Sequence, residues 1–356
     1  MQQVDSVVIG GGQAGLALGY YLAQQNQNFV ILDAAPTIGH TWHERYDSLQ
    51  LFTPAWYSHL PGLPLPLAPN DYPTKDDIAR YLQDYATTFN LPVRLNTTVD
   101  SVHHGQNNFL IRTATEVYQA NHVVIATGPF QKAYVPPFAS RLAPSIFQIH
   151  SSEYRHPKQL PVGDVLIVGG GNSGAQIAVE LAHTHNVYVA QGKRQPYLPQ
   201  QLLGKDLFWW LRRLGVLKVT INSRLGQRLS KTDPVIGTHL RRVAATLPLI
   251  LIGRVIGADK CTILLADGSH LPVTAVIWAT GFRPEYGWIH VPVFDSQGLP
   301  VHQRGVTAVS GFYFLGLPWL HRRDSALLGG VGHDAAFLAA SITRACSQSS
   351  STRRQR

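Results

Sequence analysis

Val7-Val8-Ile9-Gly10-Gly11-Gly12-Gln13-Ala14-Gly15 returns in altered form as Val165-Leu166-Ile167-Val168-Gly169-Gly170-Gly171-Asn172-Ser173-Gly174. Each stretch is an apolar run followed by G-x-G-x-x-G, which reads as a buried strand turning into a helix. The first glycine allows a tight turn, the second lets backbone approach a pyrophosphate, and the third lets the helix pack closely on the strand. The helix N-terminus then offers unpaired N–H groups and a positive dipole end to phosphate. One such loop could be a glycine-rich turn that binds nothing. Two in one chain predict two dinucleotides, with electron transfer between them.

The residues after each loop separate the two ligands. After the first come a helix over 14–25, the strand Phe29-Val30-Ile31-Leu32 and then Asp33. An acid at that strand end accepts hydrogen bonds from ribose hydroxyls, which suits the adenosine half of FAD or NAD. After the second come a helix over 175–182, the strand Val187-Tyr188-Val189-Ala190 and then Gln191-Gly192-Lys193-Arg194. Here two cations stand in place of the acid. A carboxylate would repel a 2′-phosphate and Lys193 and Arg194 would attract it, so the second site reads as NADPH rather than NADH.

A second phrase is also repeated. His122-Val123-Val124-Ile125-Ala126-Thr127-Gly128 follows the first loop, and Ala275-Val276-Ile277-Trp278-Ala279-Thr280-Gly281 follows the second. Each is a buried strand ending in Ala-Thr-Gly, and the order loop, closure, loop, closure divides the chain. The expected fold is α/β, with two Rossmann-like dinucleotide-binding domains. The NADPH domain, 157–284, is inserted into an FAD domain made of 1–156 and 285–345. Inside the first part, 34–74 is a long irregular segment of the kind that carries sites, 76–89 is a helix, and 93–118 is a set of short strands containing Val99. After the insertion, Gly311-Phe312-Tyr313-Phe314-Leu315-Gly316 reads as the last strand. Gly329-Gly330-Val331-Gly332 opens a last helix over 334–343, whose start suits the electron-rich edge of a flavin ring.

Composition excludes several other classes. The chain has 356 residues, 45% of them hydrophobic, enough for a large core in two domains. No apolar run reaches the length of a membrane span, and the first strand begins almost at once, so the expectation is a cytoplasmic protein without a leader or stable membrane insertion. The two cysteines, Cys261 and Cys346, form no C-x-x-C pair, which argues against a dithiol–disulfide reductase. His183-x-His185 and His103-His104 lack metal-ligand geometry, so no metal site is expected. The formal charge of +9 does not signal nucleic acid, since no nucleic-acid motif accompanies it and two polyanionic cofactors favour a positive field. Part of it lies in Arg344, Arg353, Arg354 and Arg356, and 346–356 reads as a disordered basic tail.

The order of these motifs resembles that of flavin-containing monooxygenases. The chain is similar to compact bacterial members of that superfamily, to plant YUCCA-type enzymes and, more distantly, to Baeyer–Villiger monooxygenases. Thr41-Trp42, Arg45-Tyr46-Asp47-Ser48-Leu49, Leu51-Phe52-Thr53-Pro54, Leu60-Pro61-Gly62, Tyr72-Pro73-Thr74 and Gly316-Leu317-Pro318-Trp319 carry the resemblance, which runs from Val4 to about Ile342. The pattern F-x-G-x-x-x-H before the second domain is kept at His150, followed by Tyr154, but Pro144 and Ile146 replace its Phe and Gly. Pro54 stands after Thr53, where several relatives have Asn.

The resemblance implies FAD and NADPH as cofactors, and a small organic substrate and O2 as partners. Hydride would pass from NADPH to flavin and oxygen would be activated at flavin C4a in a dry site. Such chemistry needs no nucleophilic triad, and no catalytic side chain is assigned. On the flavin side the candidate contacts are Gly10, Gly12, Gln13, Ala14, Gly15 and Asp33. Thr41, Trp42, Arg45, Thr53, Val99, Ala126, Thr127, Gly128, Gly316 and Gly332 add to them. On the nicotinamide side they are His150, Arg155, Gly169, Gly171, Asn172, Ser173 and Gly174, then Lys193, Arg194, Ala279, Thr280 and Gly281. Two alternatives stand beside oxygenation: a flavin reductase or oxidase passing electrons to a quinone, a partner protein or O2, and a redox-sensing regulatory flavoprotein. Residues 206–214 read as a helix with an aromatic face ending in cations, either packed on the NADPH domain or serving as a lid or membrane contact.

Overall fold

The computed structural model describes residues 1–106, 108–192 and 195–354, with side chains to 345. Two sheets organise it. The first has eight strands, in the order Ile289–His290, Val99–His104, Phe109–Thr113, Val117–Ile125, Gln2–Ile9, Phe29–Leu32 and Val93–Arg94, with Phe312–Phe314 also on Val117–Ile125. The second has five, in the order Leu249–Ile252, Asn186–Ala190, Asp164–Val168, Ala275–Trp278 and Phe147–His150, all parallel. In both, the strand before the glycine loop lies between the strand that follows it in sequence and the strand that ends in Ala-Thr-Gly. Each loop therefore sits where the strand order reverses, the crevice in which open α/β sheets hold ligands.

The central strands read as unbroken apolar runs because both faces are covered. Val7, Val8, Ile31, Val123 and Val124 are fully buried in the first sheet, as are Val165, Leu166, Ile167, Val276 and Ile277 in the second. The strand Val117–Ile125 changes partners along its length. Its first half pairs antiparallel with Phe109–Thr113, and its second half pairs parallel with Phe312–Phe314.

The sheets correct one boundary. Phe147–His150 pairs with Ala275–Trp278 and so belongs to the second sheet, whereas the expected start of the second domain was 157. Ile146, at the position of the missing glycine, fills the cluster around Trp278, Leu142 and Ala139, so the altered linker is a packing solution. Ile289–His290 pairs in parallel with Val99–His104, which returns the chain to the first sheet. The last helix also starts earlier than expected, at Leu328, and its backbone is helical to Arg354 where a structureless tail was expected from 346. Side chains from 346 lie outside the described residues.

The irregular segment 34–74 is held by the helix Lys75–Thr88, which Thr74 and Asp77 cap reciprocally. Buried backbone that makes no sheet or helix needs other partners, and two tyrosines of this helix supply them. The Tyr81 hydroxyl accepts from Leu60 N and donates to the Leu63 carbonyl, both at 2.7 Å, and the Tyr85 hydroxyl donates to the Pro61 carbonyl at 2.7 Å. Burial pushes the Tyr81 phenol up to about 12. Tyr81→Phe would leave a buried N–H and a carbonyl without partners. The expected loss is about 1–3 kcal/mol, read by denaturant unfolding of the flavin-loaded protein.

Candidate functional site

Both glycine loops are packed to the limit at two positions and open at a third. Gly10 and Gly169 adopt φ of +110° and +113°, a region that disfavours any side chain. A Cβ on Gly10 would lie 2.6 Å from the Ala126 carbonyl oxygen, and one on Gly169 would overlap that of Ala279. A Cβ on Gly15 would overlap the Gly10 carbonyl, and one on Gly174 the Gly169 carbonyl. Among the described residues, Gly12 has nothing within 4 Å of its Cβ position, and Gly171 has only the Gln195 amide, at 3.8 Å or beyond. Gly12 and Gly171 are the N-cap residues of the helices Gln13–Gln24 and Asn172–Leu181, and neither helix has a side-chain cap. Each loop thus offers an uncapped helix N-terminus beside a vacant slot, an arrangement that fits a pyrophosphate.

Behind the loops the two strand ends differ in charge. Asp33 accepts from Gly11 N through Oδ2 and from Ala35 N at 2.7 Å through Oδ1, and each carboxylate oxygen has a further lone pair with which to accept. Gln191 takes the matching place in the second domain, with its side-chain nitrogen 2.8 Å from a Cβ on Gly170, as Asp33 Oδ2 is from one on Gly11. Lys193 and Arg194 lie outside the described residues. Arg254, unremarked in the sequence, approaches within 3.9 Å of a Cβ on Gly192. Its signal was its place after the strand Leu249–Ile252, which pairs with Asn186–Ala190 and ends at the same edge.

The two Ala-Thr-Gly closures meet. Just beyond them, Lys132–Ala133 and Phe282–Arg283 pair as a short antiparallel ribbon. Thr280 donates to the Tyr134 carbonyl, and Gln131 donates to Thr127 Oγ1 at 2.9 Å and to the Gly128 carbonyl at 3.0 Å. The Phe130 and Phe282 rings lie 5.2 Å apart, and the Arg45 guanidinium sits 5.3 Å from the first and 5.8 Å from the second. Burial lowers the pKa of Arg45 below its usual value, and the two ring faces stabilise its charge there. Neither phenylalanine was named from the sequence; each is the first aromatic after its closure.

Several expected nucleotide contacts are committed elsewhere. His150 is buried, with Nε2 3.0 Å from the Gly281 carbonyl and Nδ1 2.8 Å from Ser152 Oγ. It latches the second closure, and burial lowers its pKa. Arg155 pairs with Glu44 and donates to the Ser152 carbonyl at 2.8 Å, joining the linker to the irregular segment. Asn172 donates to the Pro234 carbonyl at 3.1 Å and accepts from Ile236 N at 3.0 Å. Ser173 stays exposed. On the first domain, Thr41 is exposed on the short helix His40–His43, and Trp42 and Val99 pack half-buried against the core. Thr53 is buried and accepts from Ser58 Oγ at 2.7 Å. Gln13 donates to the Ala326 carbonyl at 2.7 Å, and a Cβ on Gly316 would lie 2.6 Å from the Ala14 Cβ. Gly332 sits inside the last helix, where a Cβ would overlap the Pro61 ring. Its glycine is therefore explained by helix packing.

A cleft of about 460 Å³ opens between the domains, lined by Phe52 and Tyr72 from the irregular segment and by Gln176, Gln200 and Ile236 from the second domain. Beside it, the helix Leu207–Arg213 buries Leu207 and Phe208 against Phe52 and Tyr57, with Leu211 and Trp56 packed on the same cluster. The aromatic helix thus packs on Leu198, Leu217 and Ile236 of its own domain, as expected, and also across the cleft onto the first domain. Among the described residues, no cluster of His, Cys, Asp or Glu could hold a metal ion, and no helix is long and apolar enough to cross a membrane.

The family described as pyridine nucleotide-disulphide oxidoreductase matches residues 7–200. An uncharacterized CzcO-like oxidoreductase of Geobacillus kaustophilus is 51% identical over 337 residues, which cover 94% of this chain and 97% of that protein. A probable indole-3-pyruvate monooxygenase, YUCCA7 of Arabidopsis thaliana, is 30% identical over 94% of this chain and 86% of its own length. Among solved structures, a flavin-containing monooxygenase from Stenotrophomonas maltophilia superposes with a TM-score of 0.81 at 28% identity, covering 97% of this chain and all of that one. The chain belongs to the pyridine nucleotide-disulphide oxidoreductase family and, within it, to the flavin-containing monooxygenase superfamily of FAD- and NADPH-dependent oxidoreductases.

Proposed function

We propose that this chain binds FAD on its first glycine loop and NADPH on its second, and uses the electrons of NADPH to insert one oxygen atom from O2 into a small organic substrate. The observation that carries this reading is the matched pair of loops, closed to any side chain at the first and third glycines and open at the middle glycine and the helix N-terminus. A pyrophosphate has the charge and size for that opening. Asp33 is placed for ribose hydroxyls on the flavin side. On the other side the neutral Gln191 removes the repulsion a carboxylate would exert on a 2′-phosphate, and Lys193, Arg194 and Arg254 supply attraction.

When bound, NADPH supplies a hydride and FAD carries the electrons on to O2. The protein contributes placement and dryness. Arg45, held between the Phe130 and Phe282 rings, sets a positive charge at the junction of the two closures. His150 holds the Gly281 carbonyl and so ties the second closure to the neighbouring strand of its own sheet. Phe52, Tyr72 and Gln200 line a cleft suited to a small substrate with both apolar and amide-bonding parts. Cys261 and Cys346 provide no dithiol relay, and the relatives described as monooxygenases support O2 as the acceptor. The cytoplasm, where NADPH is available, is the expected compartment.

Three measurements test this reading. Gly12→Ala meets no protein atom, so the apoprotein should keep its stability while the purified protein loses most of its flavin. Gly15→Ala should cost about 1–3 kcal/mol of stability as well. A Gly12→Ala protein that retains full flavin would move the FAD site elsewhere. Replacing Lys193 and Arg194 with alanine should raise KM for NADPH about tenfold or more and leave KM for NADH nearly unchanged; equal changes would remove the 2′-phosphate role. Mixing the NADPH-reduced protein with O2 in a stopped-flow instrument should give a transient whose absorbance differs from both reduced and oxidised flavin and which persists with NADP⁺. Direct return to the oxidised spectrum would instead mark an oxidase or reductase passing electrons to O2, a quinone or a partner protein.

A further inference from the structure

Residues 197–231 contain seven lysines and arginines (Lys205, Arg212, Arg213, Lys218, Arg224, Arg228 and Lys231) and one acid, Asp206. That is a net +6 in a chain whose total is +9. All seven cations are exposed. Asp206 is half-buried and consumed: it caps Phe208 N and accepts from Tyr72 and Gln200. Asp233, just beyond, faces Arg323 at 3.8 Å. The same segment also leaves large apolar side chains in solvent. Leu203 is 82% exposed, Leu214 70%, Leu202 47% and Trp209 39%.

Part of this set, Lys205, Leu202, Leu203, Trp209, Arg213 and Leu214, lies on one hairpin and the helix fastened to it. The hairpin Gln201–Leu202 with Lys205–Asp206 carries Leu203 at its tip, and Trp210 Nε1 donates to the Leu202 carbonyl at 2.8 Å, which fastens the tip to the helix Leu207–Arg213. Trp209 and Trp210 meet edge to face, with ring centroids 4.7 Å apart, and the Lys205 ammonium lies 6.0 Å from the Trp209 ring. One side of the helix is spent on the first domain through Leu207, Phe208 and Leu211. The other shows Trp209, Arg213 and, just after it, Leu214.

We infer that this surface docks the chain on the anionic face of a lipid bilayer. Leucines at a hairpin tip enter the acyl boundary, tryptophans sit at headgroup level, and the flanking cations face anionic headgroups. A second copy of the chain fits poorly, because a two-fold contact would bring the same net positive surface against itself. Nucleic acid would match the charge but leave the exposed leucines without an apolar partner. This docking is independent of the reaction assigned to the site.

The test is co-sedimentation of the flavin-loaded full chain with vesicles of phosphatidylcholine alone or mixed with phosphatidylglycerol. Binding to the mixed vesicles is expected, with little to phosphatidylcholine, and added salt should weaken it. Leu203→Asn suits the positive φ of 50° at that turn and should weaken binding about tenfold. Arg213→Gln should weaken it about fivefold. Flavin content reports folding, and a defect in one variant leaves the other to decide. No binding to the mixed vesicles would overturn the inference, as would equal binding to both kinds. It would also fall if Arg213→Gln weakened binding but Leu203→Asn did not, since the surface would then be a general polyanion patch. Self-association abolished by Leu203→Asn, without vesicle binding, would assign the patch to a second copy.

Discussion

The structure depends on one contact made twice: the backbone of a glycine loop pressed against the carbonyl at the end of the neighbouring strand. Gly10 lies on Ala126 and Gly169 on Ala279, and in each loop the next helix closes on the first glycine through Gly15 or Gly174. No side chain fits at any of these four points. The contact fixes where each helix begins, and so where its uncapped N–H groups point. It also fixes which strand neighbours the loop, because the carbonyl that limits the space belongs to the Ala-Thr-Gly strand. A dinucleotide site follows from that packing, since the one position left open is the middle glycine, in front of the helix.

The same closures join the domains. Beyond them the chain forms a two-strand ribbon, with Arg45 held between Phe130 and Phe282 and with His150 on Gly281. These contacts come from four separate regions of sequence. They hold the two nucleotide crevices in fixed relation while leaving the loops free of side-chain caps. Arg155 and Asn172 serve the same end. One pairs with Glu44 and the other bridges to residues 234–236, so polar groups that looked available for ligands hold the walls of the site.

Charge is distributed with similar economy. The strand end behind the first loop keeps a carboxylate, Asp33, and the one behind the second an amide, Gln191, a difference of one formal charge; on the proposed assignment of the cofactors it falls where one extra phosphate would sit. The larger excess lies on residues 197–231. There the only acid is occupied as a helix cap while the cations stay in solvent.

The sequence by itself determined the two nucleotide units, their order and their chemical difference, because those rest on local rules. Gly-x-Gly-x-x-Gly between strand and helix, the acid or cations one strand later, and the buried Ala-Thr-Gly strand each act within a few residues of themselves. Only the tertiary structure decided that Phe147–His150 joins the second sheet, that Gly332 answers to Pro61, and that His150 and Arg155 brace the junction. It alone paired Phe130 with Phe282 and laid the helix Leu207–Arg213 across the cleft onto Phe52 and Tyr57. These outcomes depend on partners more than a hundred residues away in most cases, and side-chain identity carries no mark of a distant partner. A histidine reads the same whether it faces a nucleotide or the carbonyl of Gly281; the strand beside which it lands makes the difference.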